Sequence, residues 1–311
     1  MEGLGYGCRD NGLLFAINAQ MWSVQAPLVR FGSEVHKKKY LPKLVSGEWI
    51  GAHGMTEPES GSDSFSLRTK ANKVGDAYIL NGTKLFVSNA PVADLFLVFA
   101  TVDRSRGFMG ITAFLIEKGT PGLSVSQPIE KMGLRTSLLG EVVLEDCRVG
   151  VENRLGREGN GAIIFRHSMG LERTCILASC VGTMERQVEL CAEYAKQRQQ
   201  FGQPIGKFQS VANRIVDMKV RLETARLLLY QAGWLRTRGQ EAIQEVAMAK
   251  LYLSECFVQS SLDAIQIHGG YGYTTEFEIE RELRDAVASR IYSGTSEIQR
   301  DIIARSMGLL I

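Results

Sequence analysis

Six short stretches of this chain gather residue types that can do chemistry or grip a charged ligand. Gly170-Leu171-Glu172-Arg173-Thr174 sets a carboxylate beside a guanidinium on a helical pattern. Such a glutamate is either a general base, if its pocket is dry enough to raise its pKa, or a surface acid beside an arginine. Met55-Thr56-Glu57-Pro58-Glu59-Ser60-Gly61-Ser62-Asp63 is rich in small polar residues. From composition it reads as an ordinary Ser/Gly/Pro loop, the alternative being backbone N–H groups that approach an anion or a polar ring edge. Lys84-Leu85-Phe86-Val87-Ser88-Asn89 reads as a strand. Its period of two puts Phe86 and Ser88 on one face, suited to covering a flat ring, although core phenylalanines on strands are common.

The other three stretches lie toward the C-terminus. Arg198-Gln199-Gln200-Phe201-Gly202-Gln203-Pro204-Ile205-Gly206 closes a long helix. An arginine near an aromatic can hold a phosphate and pack on an adenine, or simply complement the helix dipole. Gln266-Ile267-His268-Gly269-Gly270-Tyr271-Gly272 breaks a helix with three glycines that expose backbone N–H groups. It is not a dinucleotide fingerprint, because no strand precedes it. Tyr292-Ser293-Gly294-Thr295-Ser296-Glu297 opens a helix with Thr295 or Ser296 as its cap.

The elements that must position these residues fall into three zones. Residues 1–49 read as helical, with an apolar stripe of Leu14, Phe15, Ile17, Met21 and Trp22. Residues 50–157 alternate short β-rich runs, such as Leu95–Phe99 and Ile111–Ile116, with Asn81-Gly82 and Pro121-Gly122 turns. This predicts a mostly antiparallel β-domain, a small barrel or a sandwich. Residues 158–311 return to helix. Met184, Val188, Cys191 and Ala195 keep a three-four spacing, as do Ile215, Met218, Leu222, Ala225, Leu229 and Ala232. Further patterns over about 241–265 and from about Thr295 onward complete a four-helix bundle. The fold class is therefore α+β, in the order helical, β, helical bundle.

Bulk properties exclude several functions. A net charge of +2 on 311 residues, with no basic run, argues against nucleic acid and membrane-surface partners. No apolar stretch approaches the roughly 20 residues of a membrane helix, and the N-terminus lacks the features of a signal peptide. A cytoplasmic protein is the default. The six cysteines and four histidines make no metal-ligand spacing, so no metal is expected, and Cys175, Cys180 and Cys191 read as small core residues.

The order and spacing of MTEPESGSD, RQQFGQPIGKFQ and QIHGGYGYTTEFEIERELRD resemble the acyl-CoA dehydrogenase family over about residues 32–307. The resemblance implies a partial N-terminal helical domain, a central β-domain, a C-terminal four-helix bundle and FAD as cofactor. By position, Met55, Thr56, Phe86 and Ser88 are implied to line the isoalloxazine, Phe86 and Ser88 standing where relatives often carry Trp and Thr. Arg198, Phe201 and Gln209 are implied to hold the pyrophosphate and adenine, with Gln266, Gly269, Gly270, Thr295 and Glu297 completing the cofactor site. Ser62, Arg173, Tyr292 and Ser293 correspond to substrate positions.

Many relatives carry the catalytic glutamate where this chain has Ser293, which cannot take a proton from carbon near neutral pH unaided. A second position used in the family, at the start of the first bundle helix, is filled by Glu172. The expected reaction is α,β-dehydrogenation of an acyl thioester, Glu172 removing the α-proton and the flavin accepting the β-hydride. An electron-transfer flavoprotein would collect the electrons. The alternatives are a flavin oxidase or monooxygenase on the same fold, or a non-catalytic flavin-binding protein. The motifs also resemble the branch acting on acyl or aminoacyl groups of carrier proteins, such as prolyl-carrier-protein dehydrogenases. Glu172 and Arg198 read as one helix, 26 residues apart and hence about 39 Å along a straight axis. That separation implies sites shared between subunits of a homodimer or homotetramer. In a eukaryote the mitochondrial matrix replaces the cytoplasm as the expected location. Against its relatives the chain begins well inside the N-terminal domain, so several covering helices are expected to be missing.

Overall fold

The computed structural model describes residues 1–309. The chain opens with α1 (Glu2–Gly7), α2 (Asn11–Gln20), a π-helical stretch (Met21–Gln25), α3 (Ala26–Phe31) and α4 (Glu34–Ser46). Strands β1 (Gly51–Gly54), β2 (Lys70–Val74), β3 (Ala77–Ser88), β4 (Leu95–Thr101), β5 (Ile111–Glu117), β6 (Leu123–Val125), β7 (Leu139–Gly150) and β8 (Arg154–Leu155) follow. Then come α5 (Gly161–Cys175), α6 (Ala178–Gln197), the hairpin β9 (Gln199–Gln200) and β10 (Gln203–Pro204), and α7 (Gln209–Thr237). Last are α8 (Ile243–His268), α9 (Ile279–Ala288) and α10 (Ser296–Ser306). The chain forms two compact units: residues 15–131 with 135–172, and residues 1–14 with 132–134 and 173–311.

The first unit is built on one eight-stranded sheet of order β6-β7-β3-β2-β4-β5-β8, with β1 added beside β4. Pairing is antiparallel except for β1 with β4 and a single β2–β4 pair. Tyr78, Leu80, Val142 and Leu144 from β3 and β7 share an apolar core with Phe96, Val98 and Phe114 from β4 and β5. The sheet thus folds over its own apolar face, with an unclosed strand order. The opposite side of β4 and β5, carrying Leu95, Leu97, Phe99 and Leu115, is covered by Val24, Leu28, Tyr40, Leu44 and Ile164 from helical segments. Coverage on both faces explains why β4 and β5 read as unbroken apolar runs rather than alternating ones.

The expected apolar stripe on α2 is only partly realised. Asn11, Leu14 and Asn18 are buried, whereas Ile17 is exposed and Met21 and Trp22 are half-buried. The helix is π-helical over Met21–Gln25, and within that turn Ser23 and Val24 are the buried residues.

In the second unit, α8 packs against α6, α7, α9 and α10, and its buried positions lie on more than one face, as a central helix requires. On α7 the buried residues are Met218, Leu222, Ala225, Leu229 and Ala232, the stripe expected from spacing. Helices α1 and α6 touch backbone to backbone, because a Cβ on Gly182 would lie 2.0 Å from the carbonyl oxygen of Glu2. Arg186 then donates to the carbonyls of Gly5, Tyr6 and Cys8 at the end of α1, at 2.6, 2.8 and 3.1 Å. The continuous helix expected from Glu172 to Arg198 is broken: α5 stops at Cys175 and α6 starts at Ala178. Ile176 and Leu177, at the break, are both buried. The straight-axis distance therefore does not apply.

Leu222 is fully buried in this bundle. Leu222→Ala should lower stability by about 2–5 kcal/mol, seen as a lower urea midpoint at unchanged slope.

Candidate active site

In the first unit the loop after β1 is shaped by a carboxylate that turns inward. Glu57 and Ser60 exchange backbone hydrogen bonds of 3.0 and 3.1 Å, and Ser60 Oγ donates to the carbonyl of Asp63 at 2.6 Å. This tight turn leaves Pro58, Glu59 and Ser62 exposed and drives the Glu57 side chain into the core. There Glu57 accepts from the backbone N–H groups of Arg68 and Thr69, from Thr69 Oγ1 at 2.6 Å and from Lys84 Nζ at 2.7 Å. Lys84 has no exposed surface and also donates to the carbonyl of Met55 at 3.2 Å. Burial pushes the Lys84 ammonium down to about 8 against the pull of Glu57. Burial alone would raise Glu57, but the Lys84 charge and these hydrogen bonds hold it below the usual carboxylate range. Neither partner is among the functional residues expected from sequence. The signal available was a lysine placed mid-strand, directly before Leu85, Phe86 and Val87.

This pair fixes Met55 and Thr56 against β3: Met55 is buried, and the Thr56 carbonyl accepts from Leu85 N at 2.8 Å. Phe86 departs from the expected geometry. It lies in an irregularity of the β3–β7 pairing with φ of 55°, and is 59% exposed. The bulge interrupts the period of two, so Phe86 and Ser88 do not share a face by simple alternation. A non-glycine residue at such φ stores roughly 1–2 kcal/mol, a pattern that clusters at ligand sites. Beneath the loop, His53 packs between Phe99 and Phe165, ring centroids 5.2 and 5.9 Å away. Burial first, then the Lys84 charge, lowers it to about 4 and keeps it neutral.

Glu172 ends this unit. Its side chain is buried, and Oε2 accepts a 2.6 Å hydrogen bond from the equally buried Ser23 Oγ. A dry carboxylate held by a hydroxyl is an arrangement suited to proton transfer, and it is not that of a surface acid. Ser23, which lies within the π-helical turn, is absent from the residues expected from sequence.

In the second unit Arg173 Nε donates to the carbonyl of Ser293 at 2.8 Å. Gln299 Nε2 donates to the same carbonyl at 3.3 Å and to that of Gly294 at 2.9 Å. Ser293 is buried with φ of 56°, and Gly294 follows at 91°. A Cβ on Gly294 would lie 2.8 Å from Gln299 Nε2 and 3.2 Å from an Arg173 guanidinium nitrogen, so glycine is required there. Thr295 caps α10, accepting from Ile298 N, and Glu297 is exposed. Tyr292 Oη lies 3.9 Å from Cys180 Sγ. Lys250 on α8 is fully buried and pushed down to about 8, by burial first and then by the charge of Arg173. It too escapes sequence reading.

Arg198, Phe201 and Gln209 are exposed, Phe201 at 93% and with φ of 50°. The Arg198 guanidinium lies over the Tyr271 ring at 5.5 Å, which joins the β9–β10 hairpin to the glycine break. Gln266, Gly269 and Gly270 are exposed there, and Gly269 has φ of 60°. Burial pushes the Cys180 and Cys191 thiols up to about 12, which suits packing rather than reactivity.

A folded-over β-sheet unit, a helical bundle and these motifs define an acyl-thioester flavoprotein frame, and comparison with known proteins bears this out. Models of the acyl-CoA dehydrogenase N-terminal, middle and C-terminal domains match residues 1–48, 52–147 and 159–308. The chain belongs to the acyl-CoA dehydrogenase family, and with it to the FAD-dependent oxidoreductases. It is 48% identical to an L-prolyl-(peptidyl-carrier protein) dehydrogenase from a Serratia species, over 99% of this chain and 80% of that protein. Among solved structures, the prolyl acyl carrier protein oxidase AnaB is 57% identical with a TM-score of 0.98, over 99% of this chain and 82% of that one. PigA with FAD and proline is 48% identical with a TM-score of 0.97, over 99% and 80%.

The Glu57–Lys84 pair is testable by denaturation. Glu57→Leu leaves a buried ammonium with one carbonyl and should cost about 3–5 kcal/mol. Lys84→Met, which leaves Glu57 its three remaining donors, should cost less. Because the folded pKa of Glu57 is depressed, its contribution is present above the ordinary carboxylate pKa and is lost as pH falls through the lowered value. Urea midpoints against pH should show a steeper acid limb for wild type than for Glu57→Leu.

Proposed function

We propose that this protein catalyses FAD-dependent dehydrogenation of an acyl thioester, with a prolyl group on a peptidyl carrier protein as substrate and Glu172 as base. The observation that carries this is the buried Glu172 carboxylate held by Ser23. The relatives named for prolyl carrier-protein oxidation supply the substrate class. Among the described residues, no helix is long and apolar enough to cross a membrane, and a cytoplasmic setting fits the unfocused charge.

The residues present fit the cofactor. Phe86 and Phe201 are exposed aromatics on left-handed backbone, which a flat ring system would cover. Arg198 offers a guanidinium for phosphate, and Met55 and Thr56 form a rigid edge beside Phe86. FAD, when bound, supplies the two-electron acceptor for the β-hydride. Glu172 takes the α-proton as the Cα–Cβ double bond forms, and the α C–H electron pair remains in the substrate. Arg173 and Gln299 hold the Ser293 carbonyl, setting the loop where the thioester carbonyl is polarised. Exposure of Arg198, Phe201 and Gln209 in a single chain supports a site completed by a second copy, in a homodimer or homotetramer.

An electron-transfer flavoprotein is the proposed electron acceptor. The name of AnaB favours a second reading, an oxidase returning electrons to O₂. Anaerobic reduction by substrate followed by air separates them: slow reoxidation supports the dehydrogenase, and rapid peroxide release overturns it.

The base is tested with a thioester panel, CoA-bound against carrier-bound. Wild type should be bleached by the prolyl-carrier thioester, and Glu172→Gln should bleach at least 10²-fold more slowly. Unchanged bleaching in the variant would remove Glu172 from the reaction.

A further inference from the structure

We infer that Ser23 is a positioning residue for Glu172, placed there by the π-helical turn. The inference rests on the assignment of Glu172 as base. In an unbroken helix, the inward register of Asn11, Leu14 and Asn18 would continue through Met21 and Trp22, three and four residues beyond Asn18. Within the Met21–Gln25 turn the buried residues are instead Ser23 and Val24. A π-turn spaces its backbone hydrogen bonds five residues apart instead of four, and such insertions recur at functional positions.

The turn is pinned on both sides. Gln20 Nε2 and Gln25 Nε2 donate to the same carbonyl, that of Leu44, at 2.7 and 2.8 Å. Gln20 Oε1 in turn accepts from Gly51 N at 3.0 Å, and Trp22 Nε1 donates to Asn18 Oδ1 at 2.8 Å. A Cβ on Gly51 would lie 2.9 Å from Val24 Cγ1, so β1 packs tightly on the turn. The Ser23 hydroxyl is therefore delivered by a fixed backbone, and its 2.6 Å contact is the length of a charge-assisted bond to a carboxylate. Its effect is to restrict the Glu172 carboxylate to one orientation. Ser23 itself exchanges no proton with substrate.

Anaerobic stopped-flow reduction of the bound flavin at saturating thioester tests this in Ser23→Ala, Ser23→Thr, Glu172→Gln and the Ser23→Ala/Glu172→Gln double variant. Flavin content and KM serve as controls. Ser23→Ala should keep both while slowing reduction roughly 10- to 100-fold, the equivalent of one hydrogen bond to a charged group. Ser23→Thr, which keeps the hydroxyl, should restore most of the rate. Ser23→Cys, matched in size but a weak donor, should resemble Ser23→Ala, and it stands in if the alanine variant does not fold. The double variant should be no slower than Glu172→Gln. A Ser23→Ala rate within twofold of wild type, or an undiminished further loss in the double variant, overturns the positioning role and leaves the base intact. A Glu172→Gln variant with wild-type reduction overturns both.

Discussion

A lysine with no exposed surface is the constraint on which the β-sheet unit depends. An ammonium cannot be left in an apolar sheet without a partner, and Glu57 can reach Lys84 only if the loop after β1 turns back at Pro58-Glu59. That turn brings Met55 and Thr56 onto β3. It also obliges β3 to direct Lys84 inward, and the bulge that follows lets Phe86 emerge two residues later. One buried charge thus determines both the loop and the aromatic that flank the proposed flavin edge. The pair adds little net stability by itself, and its value is that no other arrangement of these two segments satisfies it.

A second buried glutamate, Glu172, sits in different surroundings. Glu57 is surrounded by donors and a cation, all of which favour its charged form. Glu172 has the Ser23 hydroxyl within a buried setting. Of these two buried glutamates in one unit, Glu57 is held ionised as a structural anion, and Glu172 is the one proposed as base. Environment assigns these roles, since the side chains are chemically identical.

How much of this could be read from sequence follows from which physical signals are local. The buried face of α7, the Thr295 cap and the doubly covered strands β4 and β5 were legible, because periodicity and cap chemistry act over a few residues. Glu172 was reachable only through its place beside Arg173 in a family pattern. The π-turn at Met21–Gln25, the break at Ile176-Leu177 and the left-handed Phe86 were not legible. None carries a glycine or proline, the residues by which sequence announces a change of backbone course. The inward turn of Glu57 was hidden for the same reason, since Lys84 lies 27 residues away.

Ser293 shows what a vacant catalytic position can still contribute. Its backbone sits at a φ that side chains rarely adopt, and the following glycine has a φ of 91°, a conformation that strains any other residue. A strained turn of this kind persists only where surrounding groups over-determine it. Here Arg173 and Gln299 both donate to the Ser293 carbonyl. A glutamate at 293 would bring a carboxylate to a loop whose work is done by its backbone. With Glu172 proposed as the base, the backbone contacts at 293 do not depend on an acidic side chain there, so serine at this position does not by itself argue against catalysis.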